Sequence, residues 1–152
     1  IKNSQTEFKF DKSNFVILPF NKDWHSIFKN VKQTELTQLE LIEIENILKI
    51  AIKENNKRQK VNLKKQNKEY PKNKWKKTGF ELNLEGKKRQ YAPVINEKGE
   101  KEIWINFFCD YWEEIDWKKE IVNVLDGGNC YFTIKINLTN KSYFELRING
   151  YA

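Results

Sequence analysis

The chain has no methionine, one histidine, two cysteines and three prolines among its 152 residues. Each shortage closes off a class of protein. His25, alone, would have to serve in any imidazole-dependent acid or base chemistry, and its neighbours Asp23, Trp24 and Ser26 set up no catalytic order, so it reads as a surface or packing histidine. Two cysteines and that histidine supply no tetrahedral ligand set, and the reading expects no metal site and no cofactor. Two cysteines are also too few for a disulfide scaffold, although one bridge remains open to them. No apolar run approaches the roughly 20 residues that cross a bilayer. With no methionine and Ile1 first, a segment upstream of residue 1 is expected, and a removed signal segment fits.

Aromatic residues, by contrast, are abundant, with ten Phe, six Tyr and five Trp. A chain of this length buries about 70% of the surface its unfolded form would expose, enough for one domain over 1–152. The formal charge of +7 is unevenly spread. Between residues 57 and 89 thirteen Lys or Arg face three Glu, while the remainder of the chain is slightly acidic. Within this stretch, Pro71 interrupts any continuing helix. The lysine-rich 57–89 segment therefore reads as a polar helix end and loop, a solvated arm with few apolar anchors.

Local patterns place the elements. In 1–33 the apolar pairs Phe8 with Phe10, and the run 15–18 ended by Pro19, predict one or two strands, and 23–28 predicts a helical turn. Thr37-Gln38-Leu39-Glu40 has the form of a capping box, so a helix should begin at about Gln38. Leu41, Ile44, Ile47, Leu48 and Ala51 follow at helical spacing and predict one buried face. Beyond Gln90, Asn96-Glu97-Lys98-Gly99 closes a hairpin between 91–95 and 102–108, Asp126-Gly127-Gly128-Asn129 makes a second turn, and Asn140-Lys141 a third, between 131–138 and 143–148. Alternation puts Phe132, Ile134, Ile136, Phe144, Leu146 and Ile148 on one face. The simplest architecture is α+β, with one long helix packed on a four- to five-stranded antiparallel meander, cystatin-like in outline.

Three places invite chemistry. Asp110, Glu113, Glu114 and Asp116 bring carboxylates together as glycosidases or oxygen-ligated metals require, but Tyr111, Trp112, Ile115 and Trp117 among them describe an irregular loop pinned by aromatics. Cys109 and Cys130, each on the parity of apolar strand neighbours, read either as a disulfide or as two separate buried thiols. The outward strand face carries Trp104, Phe108, Tyr131, Lys135, Tyr143 and Arg147, an aromatic and cationic surface suited to binding.

The segments 103–109 (IWINFFC), 117–122 (WKKEIV), 126–132 (DGGNCYF), 135–139 (KINLT) and the ending 149–152 (NGYA) resemble a group of small exported proteins and lipoproteins of Bacteroidetes with no assigned activity. The likeness is weaker around Phe15 to Phe28. The resemblance implies export to the periplasm or cell surface, with a lipid anchor upstream as the sole membrane contact. Together these readings lead to a non-enzymatic exported binding module, in the form of an inhibitor or immunity protein acting on another protein. The alternative is nucleic-acid or anionic-polymer binding through 57–89, where Tyr70 and Trp75 stand among the lysines.

Overall fold

A computed structural model of the protein describes residues 11–151, and the strand expected at Phe8 and Phe10 lies outside them. The chain runs β1 (Phe15–Ile17), β2 (Lys32–Gln33), α1 (Gln38–Glu69), β3 (Lys88–Ile95), β4 (Lys101–Phe108), a 3-10 turn (Gly128–Cys130), β5 (Phe132–Asn137) and β6 (Ser142–Ile148). The fold is α+β, as the periodicities predict. The sheet departs from the expected meander in having six strands and mixed direction, with order β1-β3-β4-β5-β6 and β2 beside β1 on the outer edge of β3. β1 runs parallel to β3, and every other pairing is antiparallel. Pro93 explains how two short strands share one edge. Arg89 N–H and Tyr91 O bond outward to Asn14 and Leu18, so residue 93 faces the same way, in the gap between β1 and β2 where a missing N–H leaves no ladder bond unmade.

The capping box starts α1 as read: Thr37 Oγ1 accepts from Glu40 N–H at 3.2 Å, and Glu40 Oε2 accepts from Thr37 N–H at 2.9 Å. Leu41, Ile44, Ile47, Leu48 and Ala51 pack on Tyr91, Ile103, Ile105, Phe107, Phe132, Ile134 and Ile136. An ion pair between Glu45 and Arg89 locks the helix to the sheet, with the guanidinium also donating to Tyr91 Oη at 3.1 Å. Past Asn55 the apolar stripe ends, yet the helix continues to Glu69, just ahead of Pro71.

The 57–89 stretch is the expected helix end and loop, with the Lys and Arg of 57–77 exposed, but it is not without anchors. The chain after Pro71 turns back along α1 and is fastened there by amide side chains. Asn56 takes both backbone groups of Leu82, each at 2.8 Å. Asn67 does the same for Trp75, at 2.7 and 2.9 Å, and Asn55 donates to Phe80 O at 2.9 Å. Asn56 and Asn67 each offer one donor and one acceptor to the backbone, as a neighbouring strand would. Burial pulls the Glu81 carboxyl up, but the N–H groups of Thr78 and Gly79 outweigh it and hold the group below the ordinary carboxylate range.

The larger departure concerns the second face of the sheet, which sequence alternation leaves open to solvent. Two layers of irregular chain cover it. Phe20, Trp24, Ile27, Phe28 and Val31 pack on Ala92, Val94 and Trp104. Tyr111, Ile115, Trp117, Val122 and Val124 pack around Phe108. The second layer is held by a cross-strand amide pair, Gln90 opposite Asn106. Gln90 Nε2 donates to Trp117 O at 2.7 Å and Glu120 O at 2.6 Å, while Oε1 accepts from Val122 N–H and Asn106 Nδ2. Asn106 Nδ2 also reaches Val122 O at 2.7 Å. Replacing Gln90 by Met, similar in length but unable to bond, should strand these groups away from water and cost about 3 kcal/mol or more in denaturant unfolding. Ile50→Ala, on the exposed side of α1, should stay within about 0.5 kcal/mol. Equal losses at both positions would overturn the assignment of Gln90 as a structural pin.

Candidate functional site

The six residues read as one outward binding surface are dispersed. Trp104 is 9% exposed and Phe108 is fully buried, each under a covering layer. Tyr143 has crossed to the helix side, where it packs on the main core and donates its hydroxyl to Glu54. The cause is a bulge in β6: Tyr143 pairs with Ile136 and Phe144 with Lys135, the register slips, and Glu145 takes a φ of +48°. One extra residue reverses alternation on its far side, so Phe144, expected inward, turns to the second face. Leu146 and Ile148 remain on the helix side as read.

Trp104, Lys135 and Arg147 do come together. They line a cleft of about 450 Å3 on the second face, between the two covering layers. One wall comes from Asp23, Trp24, Ser26 and Ile27, the other from Ile121 and Asn123, with Thr133 and Glu145 completing the sheet side. Trp24 is held by the turn that the 23–28 pattern predicts, in which Trp24 O accepts from Ile27 N–H at 2.9 Å.

Lys135 is committed to the architecture. Its ammonium donates to Ile27 O at 2.5 Å, pairs with Glu145 at 3.0 Å and sits 4.7 Å from the centre of the Phe28 ring. It ties the first covering layer to the sheet and has its charge balanced there. Arg147, 74% exposed on its side chain, stands 3.8 Å from the same Glu145 carboxylate and keeps most of its donors for a ligand. The cleft thus offers an indole and aliphatic wall beside a guanidinium and two carboxylates, Asp23 and Glu145.

Tyr131 lies elsewhere, in a second depression with Asp110, Tyr111 and Trp112. His25 is exposed and lines a separate hollow near Phe20 and Lys29. Cys109 and Cys130 form a disulfide, with Cα atoms 5.3 Å apart. The bridge differs from the strand reading in position: Cys109 lies just past the end of β4 and is exposed, and Cys130 ends the 3-10 turn. The carboxylates 110–116 lie in a turn-rich loop held by Tyr111, Ile115 and Trp117. No helix among the described residues is long and apolar enough to cross a membrane. No protein-family model, curated protein or solved structure matches the chain.

Lys135→Met should leave the Glu145 charge and the Ile27 carbonyl without their partner and destabilise the protein by about 1–3 kcal/mol. It should also speed amide exchange across 20–31. Arg147→Ala should change stability by less than about 0.5 kcal/mol. Unchanged exchange in 20–31 for the Lys135 variant would remove the lysine from its tethering role.

Proposed function

We propose that the protein is a non-enzymatic, exported binding module that acts on another protein, with an inhibitor or immunity protein as its specific form. The observation that carries this reading is the cleft between the two covering layers. It sets Trp24 and Trp104 beside the exposed Arg147, and tryptophan and arginine are the residue types that concentrate binding energy at protein interfaces. The binding surface is accordingly smaller than the six-residue face read from alternation, and it gains Trp24 and Ile27.

Export is supported by the Cys109–Cys130 bridge, which persists in oxidising compartments. It is also supported by the resemblance to exported proteins and lipoproteins of Bacteroidetes, which brings a lipid anchor upstream of Ile1 into the proposal. The cystatin-like outline, a long helix packed on a sheet, is an analogy of shape and carries no activity with it.

A second reading, binding of nucleic acid or another anionic polymer through 57–89, is favoured by one observation. Tyr70 and Trp75 are each about half exposed, and among the described residues no Lys or Arg of 57–77 forms an ion pair. Stacking platforms amid unpaired cations suit single strands.

The two readings separate experimentally. After the partner has been captured by crosslinking and purified, Trp24→Ala combined with Arg147→Glu should weaken its binding by about 100-fold near physiological salt. Lys72, Lys74, Lys76 and Lys77 changed together to Gln should leave that affinity within about threefold. If the lysine variant alone abolishes binding, and affinity for a single-stranded oligonucleotide falls steeply with salt in the parent protein, the polymer reading replaces the cleft.

A further inference from the structure

The depression that holds Tyr131 is walled differently from the cleft. About 290 Å3 in volume, it is lined by Asp110, Tyr111, Trp112, Asp126 and Tyr131. Three aromatic rings and two carboxylates therefore share one small space. Among the described residues neither Asp110 nor Asp126 lies within ion-pair distance of a cation, although the chain as a whole carries +7.

The surround is built. The Cys109–Cys130 bridge joins the two arms at the residues that directly precede Asp110 and Tyr131. Asn149 Nδ2 donates to Val124 O at 2.6 Å and to Asp126 O at 2.9 Å, fixing the third arm. Tyr111 is wedged edge-on against Phe108, with ring centres 6.0 Å apart. Gly127, at φ +85°, lies so close under the Tyr131 ring that a Cβ there would collide with it. Burial, with the charges of Asp110 and Asp126 adding to it, pushes the Tyr131 phenol above its ordinary value, so both carboxylates act at one hydroxyl. Trp112 is 58% exposed.

We propose that this pocket, between the loops tied by Cys109–Cys130, is a receptor for an organic cation, an alkylammonium or guanidinium head group seated against Tyr111, Trp112 and Tyr131. The faces of aromatic rings attract a cation whose charge is diffuse and weakly hydrated, and the two aspartates supply the countercharge. A hard metal ion is the poorer fit, because it demands a full shell of oxygen ligands, and no group of three ligating side chains is present among the described residues. The space suits a head group rather than a drug-sized molecule. This assignment is independent of the cleft at Trp24 and Arg147, and either can fail alone.

The test uses the intact, oxidised chain and nitrogen-15 NMR. Choline, methylguanidinium and a short capped peptide carrying trimethyllysine are titrated separately at constant ionic strength, with 3,3-dimethylbutanol as the neutral isostere of choline. Saturable shifts are expected at the Trp112 indole and at the amides of Asp110 and Tyr131, and none with the isostere. Asp110→Asn with Asp126→Asn should weaken the cation by about tenfold or more, and Trp112→Ala similarly, with the remaining spectrum preserved. Binding of the free cations assigns the site to a head group alone, and binding of the peptide only assigns it to a polypeptide side chain. Either result supports the proposal. Absence of saturable shifts with all three cations, equal binding of the neutral isostere, or unchanged affinity in the double aspartate variant overturns it.

Discussion

The buried amide pair Gln90 and Asn106 is the constraint on which the second face of the sheet depends. Two strands that are buried on both faces need a cover on each, and α1 supplies only one. The other cover, 111–124, has no regular structure and so carries backbone groups that must find partners. Gln90 and Asn106 meet that need from within the sheet, receiving the carbonyls of Trp117, Glu120 and Val122 and the N–H of Val122. With those bonds made, Trp117 and Val122 can bury themselves on Phe108. Without them, the same loop would bring unpaired carbonyls into a low-dielectric layer, each costing more than its apolar neighbours return.

Where a pattern is local, the sequence revealed it. The capping box, the apolar stripe of α1, the hairpin turn after β3 and the turn between β5 and β6 all depend on contacts a few residues apart, and each stands where its pattern puts it. The covering layers depend on partners far along the chain: Lys135 reaches back to Ile27, and Gln90 forward to Val122. The aromatic content of 111–117 marks a loop that is pinned, but nothing in the composition of 111–124 says that it is pinned over the second face of the sheet. The bulge at Glu145 was invisible for a different reason. Alternation through a regular β6 puts Tyr143 outward and Phe144 inward, and the one extra residue at the bulge reverses both.

The candidate site follows the same division. Trp104 and Lys135 were legible because they are directly paired on regular strands, and Arg147 because it lies beyond the bulge, opposite Thr133. Trp24 and Ile27 were not, since their place opposite those strands is set by the Lys135 tether and by aromatic packing of Phe20 on Trp24 and Phe28. Charge alone also gave no sign of the anchors in 57–89, although the Lys and Arg of 57–77 are exposed as it suggests. Thirteen cations suggest repulsion and solvation, but Asn55, Asn56 and Asn67, unremarkable as letters, project from α1 to hold the returning chain.

The two recesses have a common origin in this construction. One layer is anchored on the β3–β4 side by Gln90 and Asn106, the other near β5 and β6 by Lys135, and neither anchor requires the layers to touch. Ile121 of the second layer packs in the first layer's cluster, and the walls of the recess beside it are held by those separate hydrogen bonds. The same reasoning applies at the disulfide end. There the bridge, the Asn149 bonds and the two glycines beneath the Tyr131 and Tyr151 rings fix three loop arms separately. Walls set in advance by the fold lose little conformational freedom when a ligand arrives, which is the condition under which a few aromatic and charged groups suffice for recognition.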